Sequence, residues 1–217
     1  MKKVLFFLLT VLVVAVTIVA PPALANNSSD STSMKEMKER LDKENPDYFK
    51  KKKIIDRFEQ IDEKYEIGEE LSAADAAFIK KYANKAPEEG EIQAYGSKSI
   101  FGTDVNGPHY GNTSGTISNS SGVTWGSFSG NFTTTENSVD KPSRITNSLT
   151  HTAYGYVGGK PGVFKIYEKT KENTCYGTDV CNFNDGERFS GAVAYQTTIA
   201  KANVYYSNGY NLAIYPN

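Results

Sequence analysis

His109 and His151 are the only histidines among 217 residues, so any Ser–His or Cys–His chemistry has to run through one of them. Such a pair needs a nucleophile beside the imidazole and a third group that fixes its tautomer. His151 falls on the apolar side of an alternating stretch, between Leu149 and Ala153, and reads as a core histidine. His109, in Asn106-Gly107-Pro108-His109-Tyr110-Gly111, reads as a loop residue and is the better candidate for contact with a ligand. Residues 104–107 and 182–187 are rich in the oxygens that a hard cation wants. Neither has the spacing of a helix–loop–helix calcium site, and their Asn-Gly and Asp-Gly pairs equally suit ordinary β-turns. Asp104, Glu136, Asp140, Asp179, Asp185 and Glu187 offer carboxylates, but glycoside hydrolysis needs two of them to converge in space. No residue receives a catalytic role, no cofactor is expected, and the reading leans away from an enzyme.

Binding is better supplied than catalysis. The chain holds 14 Tyr, 11 Phe and one Trp, many of them in its second half. A tyrosine offers a flat apolar face for stacking and a hydroxyl that stays wet, which suits a sugar or a flat protein surface. Trp125, Tyr154, Tyr156, Tyr205 and Tyr206 are the candidates for an exposed aromatic surface, with His109 beside them in a loop. Cys175 and Cys181 are expected to pair, closing a small loop worth about 2 to 3 kcal/mol. A zinc site would need two further ligands, and the nearest histidine is distant in sequence.

The elements that must position these residues begin with an export signal. Lys2 and Lys3 precede an apolar run from Val4 to Ala20, Pro21-Pro22 breaks it, and Ala23-Leu24-Ala25 offers small residues for a signal peptidase. The run sits at the short edge of what spans a bilayer, so residues 1–25 are read as a removable signal and the protein as secreted, touching the membrane only during export. The formal net charge of -1 argues against nucleic acid as a partner.

Charge then divides the remainder. Between residues 31 and 90 there are 28 charged side chains; from 91 to 217 there are only 18, diluted among Gly, Ser, Thr, Asn and Tyr. The shift near Pro87 marks a boundary between a charged helical segment, 26–90, and a β domain, 91–217. Three short helices are expected in the first part. Ser33 with Glu36 forms a capping box, Asn45-Pro46 starts a second helix carrying Ile54, Phe58, Ile61 and Tyr65, and Ser72 with Asp75 caps a third carrying Phe78, Ile79 and Tyr82. Gly68 is a candidate terminator of the second, and the lysine run 50–53 reads as a solvated helix face. A charged stretch between a signal and a β domain resembles, in layout, the pro-regions of exported bacterial proteins; the competing reading packs it permanently on the β domain.

In the second part, Ile145, Leu149, Ala153 and Val157 alternate with Thr146, Thr150, Thr152, Tyr154 and Tyr156, as a half-buried strand requires. A turn at 158–162 leads to a return strand over 163–170. Residues 123–135 read as a long strand with bulges or bends at Gly126 and Gly130. Asn208-Gly209 suits a type I′ hairpin turn between strands at 203–207 and 210–215. Shorter strands are expected at 92–95, 98–102 and 189–195. The fold class is therefore α+β: a signal helix, short charged helices, then an all-β antiparallel sandwich or small barrel of seven to nine strands.

The final segment, 192–215, with Tyr205-Tyr206 behind an alternating stretch, resembles the tail of small secreted bacteriocins of the lactococcin 972 type over that short span. The first functional expectation is a secreted, non-enzymatic binding protein whose partner lies outside the cell or in its envelope, a polysaccharide or a protein. The alternatives are a bacteriocin-like or toxin precursor held inactive by residues 26–90, and an extracellular hydrolase using carboxylates.

Overall fold

A computed structural model describes residues 46–86, 96–122 and 124–216. The export signal, the capping box at Ser33 and Glu36, and the strand expected at 92–95 lie outside the described residues.

Helix α1 (Pro46–Lys64) and helix α2 (Ala73–Tyr82) form where expected. Phe58, Ile61 and Tyr65 follow one another at spacings of three and four, so one face of α1 is apolar and all three are buried. Of the lysine run, Lys50, Lys51 and Lys53 are exposed, while Lys52 is half-buried, pairs with Asp56 four residues on at 3.0 Å and lies over the Tyr215 ring. Ser72 caps α2 by accepting from the Asp75 amide at 3.2 Å. α1 ends before Gly68, which instead takes φ +92 in the turn that leads to α2.

Two antiparallel sheets follow. The first contains β1 (Asn84–Lys85), β5 (Arg144–Gly155), β6 (Phe164–Tyr176), β8 (Val193–Tyr205) and β9 (Asn211–Ile214), in the order β1-β8-β5-β6 with β9 also on β8. The second runs β2 (Gly96–Asn106), β3 (His109–Ser121), β4 (Trp125–Glu136), β7 (Val180–Ser190). The sheets pack face to face as a sandwich and do not close into a barrel. Instead, side chains join their edges. Tyr167 and Lys171 on β6 reach Glu187 on β7, at 3.1 and 2.6 Å, and the Cys175–Cys181 disulfide joins the same two strands. On the opposite edge Asp104 of β2 accepts the amide of Ala213 on β9 at 2.8 Å.

Between the sheets Phe128, Phe132, Phe183 and Phe189 from one side meet Leu149, Ala153 and Ala200 from the other. Gly126 and Gly130 are not bulges. Each points inward, and a side chain at Gly126 would run into the Phe189 ring, so these glycines make room for aromatic packing. The irregularities in pairing lie elsewhere, at Ala153/Tyr154 and Tyr154/Gly155.

The β8–β9 turn also differs from expectation. Only Gly209 has positive φ, +88, while Asn208 does not, and the Gly209 amide donates to the Tyr206 carbonyl at 3.2 Å. This is the pattern of a type I turn closed by a left-handed glycine, in which Asn needs no strained conformation. Strands β3 and β7 were not foreseen, and the strand expected at 189–195 is split by a turn at 191–192. Residues 182–187 therefore lie within β7, not in a turn.

The helices form a third layer on the outer face of the five-stranded sheet. Phe58, Ile61, Tyr65, Leu71 and Ile79 cluster there with Tyr154 and Val163. Below α2 the chain joins that sheet as β1, paired with β8 at Tyr195 and Gln196.

Candidate functional site

The six residues expected to form a binding surface are dispersed. Trp125 is 41% exposed at the start of β4, and Tyr156 is 55% exposed just beyond β5, at the same end of the sandwich but on the other sheet. Tyr205 is half-buried at the far end of β8, against the Arg144 guanidinium. Tyr154, Tyr206 and His109 are buried, which corrects their reading as exposed residues. Tyr154 does point outward from its strand, but the helical layer covers it. Its hydroxyl donates to Asp62, and Thr152 donates to the same carboxylate at 2.8 Å. His109 opens a strand and lies flat on Tyr206, ring centroids 3.6 Å apart, with Asn208 Nδ2 3.2 Å from its Nε2. Tyr206 in turn donates to Glu136 at 2.8 Å, so this end of the sandwich is plugged by stacked rings.

His151 is in the core as expected. It stacks on Phe128 at 4.6 Å, meets Thr198 Oγ1 through Nδ1 at 2.9 Å, and burial holds its pKa down at about 3. An imidazole that stays neutral and enclosed between sheets cannot meet a substrate.

Three of the six candidate carboxylates are tied up in structure. Asp104 binds backbone amides, Glu136 takes Tyr206 and the Ser138 amide, and Glu187 takes Tyr167 and Lys171. Among the described residues no group of three or more His, Cys, Asp or Glu is placed to hold a metal ion.

The most strongly perturbed acids belong to the helical layer. Burial lifts Asp62 to about 6 against the hydrogen bonds of Tyr154 and Thr152. Burial likewise acts upward on Asp75, but the bonds from Lys64, Tyr65 and Ser72 and the charge of Arg57 outweigh it and hold it at about 2. Lys165, also buried, donates to the carbonyls of Asp62 and Tyr65 at 2.6 and 2.8 Å. This cluster clamps α1 to the sheet and leaves no free group for a ligand.

The helical layer does not cover the outer face of the four-stranded sheet. Buried Ile117, Phe128, Phe132 and Phe183 set the inward register, so their neighbours in sequence point out. Pairing aligns these outward residues in rows across the four strands: Ser97–Ser118–Ser129–Gly186, Ser99–Thr116–Asn131–Asn184, Phe101–Ser114–Thr133–Asn182 and Thr103–Asn112–Thr135–Val180. No position in the four rows is charged, and all but Gly186, Phe101 and Val180 are Ser, Thr or Asn. The field measures about 20 Å along the strands and about 14 Å across. A shallow depression of about 350 Å³ lies beside Gly186, between Ser118, Ser129 and Arg188. Trp125 stands on the same face, four residues along β4 from Ser129.

Sequence reasoning foresaw β4 and part of β2 but missed β3 and β7, because those two strands are written in turn residues. The available signal was the alternation of Thr113 and Ile117, and of Cys181, Phe183 and Phe189, with small polar residues. No protein-family model matches the chain and no curated protein is similar to it in sequence, so its own side chains carry the functional reading.

Proposed function

We propose that the protein is an exported, non-enzymatic binding protein that holds a neutral polysaccharide on the outer face of its four-stranded sheet. The observation that carries this is the block of four uncharged rows. Each Ser and Thr hydroxyl and each Asn amide both donates and accepts, as sugar hydroxyls do, so a glycan finds partners in either orientation. Short side chains also lose little rotamer freedom on binding. Trp125 supplies a ring for stacking at one end, and the notch at Gly186 admits a substituent. A protein partner fits less well, because such interfaces centre on aromatic and Arg anchors, whereas the centre here is hydroxyl and amide.

Export rests on the signal read at residues 1–25, and the disulfide is in keeping with an oxidising compartment. The helical layer stays on the sandwich in this reading, because removing it would bare Tyr154, Val163 and the enclosed ammonium of Lys165. A chain in the culture medium whose mass begins near residue 26 agrees with that; a chain beginning between 84 and 95 shows the layer to be a pro-region.

Retention of the purified protein on cellulose or chitin tests the binding. We expect Trp125→Ala and Asn131→Glu each to weaken retention by about tenfold or more, the effect of losing roughly 1.4 kcal/mol. Failure to bind any neutral polysaccharide, or retention unchanged by both substitutions, overturns the reading.

A further inference from the structure

The uncovered end of the opposite sheet has a different chemistry. Register places Arg144 on β5 directly between Tyr205 on β8 and Tyr176 on β6. Ile145 and Val204 are buried beside them, so Arg144, Tyr205 and Tyr176 all point outward. The Arg144 guanidinium lies 4.1 Å from the Tyr205 ring centroid, while Tyr176 is 74% exposed. Among the described residues no carboxylate lies within ion-pair reach of Arg144. Held over the ring at that distance and without an ion-pair partner among the described residues, the guanidinium has N–H donors to offer a planar, two-oxygen acceptor.

The surroundings keep the row in place. Ser143 donates to the Tyr205 carbonyl through its amide at 2.8 Å and its hydroxyl at 2.9 Å, and Gly177 donates to the Ser143 carbonyl at 3.2 Å. The disulfide at Cys175, adjacent to Tyr176, anchors the end of β6 to the other sheet. The next row, Asn203–Thr146–Thr174, is uncharged. Lys141 and Asp179 face each other at 3.9 Å at this end, and Glu172 stands four residues along β6 from Tyr176, about 13 Å away.

We infer that Tyr205, Arg144 and Tyr176 form a second binding site, which takes the carboxylate of an acidic sugar while the tyrosine rings receive the sugar face. It does not depend on the neutral-glycan reading, since the two sites lie on opposite faces of the sandwich.

The test is affinity electrophoresis of the full chain through gels containing polygalacturonate, with a polyglycerol phosphate polymer as the second arm. Retardation by polygalacturonate should fall by about tenfold or more in Arg144→Gln and in Tyr176→Ala, and by less in Arg144→Lys, which keeps the charge but loses the planar fork. Reducing the disulfide should weaken it too, while retention on cellulose or chitin is unaffected by Arg144→Gln. Because Tyr176 is exposed, its replacement does not threaten folding. No retardation by polygalacturonate overturns the inference, as does retardation that survives Arg144→Gln. Equal retardation by both polymers with Arg144→Lys indistinguishable from the parent also overturns it, because that marks a positive charge without carboxylate geometry.

Discussion

The two outer faces of the sandwich use opposite chemistries on one kind of scaffold. On the five-stranded sheet, Asp62, Tyr154 and Lys165 are sealed under helices and satisfied by one another. On the four-stranded sheet, Ser, Thr and Asn stand uncovered and uncharged in register. The difference separates polar groups that serve stability from polar groups that the fold leaves in water. A buried ionisable group survives only when its bonds offset the cost of leaving water, so the covered face had to be built as a closed network. An open hydroxyl costs the fold nothing to leave unpaired, because water satisfies it.

The sharpest way to break this contrast is mutation in the two layers. Ile61→Ala, at a fully buried position under α1, should destabilise the protein by about 2 to 5 kcal/mol in urea unfolding. An effect below about 1 kcal/mol would show the helical layer to be loosely docked.

Acidity gives the next largest expected effect. Burial raises Asp62 from 3.8 to about 6, so its contribution to stability is full below pH 4 and is lost as pH rises through 6, about 3 kcal/mol in all. His151 acts in the other direction: held at about 3 by burial, it supports stability above pH 6.5 and withdraws it as pH falls. The two oppose each other between pH 4 and 6. In Asp62→Asn stability should therefore decline steadily on acidification across that window, where the parent changes little. A parallel pair of pH profiles would refute the assignment.

Reduction of Cys175–Cys181 should cost about 2 kcal/mol on the chain-entropy model and loosen the joined edges of β6 and β7, seen as faster amide exchange there. The smallest stability effect belongs to the open face. Thr116→Ala and Asn131→Ala should each stay within about 0.5 kcal/mol of the parent in unfolding while weakening retention on a neutral polysaccharide. If either destabilises by several times that amount, the row is structural and the contrast between the faces collapses.

Much of the covered side was legible. Spacings of three and four marked α1, Ser72 and Asp75 marked the start of α2, and the alternation from Ile145 to Tyr156 marked β5, because each is a short-range pattern with one dominant physical cause. The open side was legible only in part: residues 123–135 marked β4 and 98–102 marked a piece of β2, whereas β3 and β7 were not foreseen. In β3, His109-Tyr110-Gly111-Asn112-Thr113-Ser114-Gly115 has the composition of a loop, and in β7 Asn184-Asp185-Gly186 has that of a turn. Pairing overrides those preferences: β3 gains two ladders of backbone hydrogen bonds, to β2 and β4, while the edge strand β7 gains one ladder to β4 and the ring packing of Phe183 on Phe132.

By itself the sequence determined the two described helices and the Ser72 cap, the pairing of Cys175 with Cys181, the inward place of His151 and the predominance of strands, all of which depend on near neighbours or on composition. Exposure was decided only by tertiary structure. Tyr154 and Tyr205 both lie on the outward register, yet one is sealed beneath α1 and the other flanks Arg144, because burial depends on which distant element packs over a strand and not on the strand's own alternation.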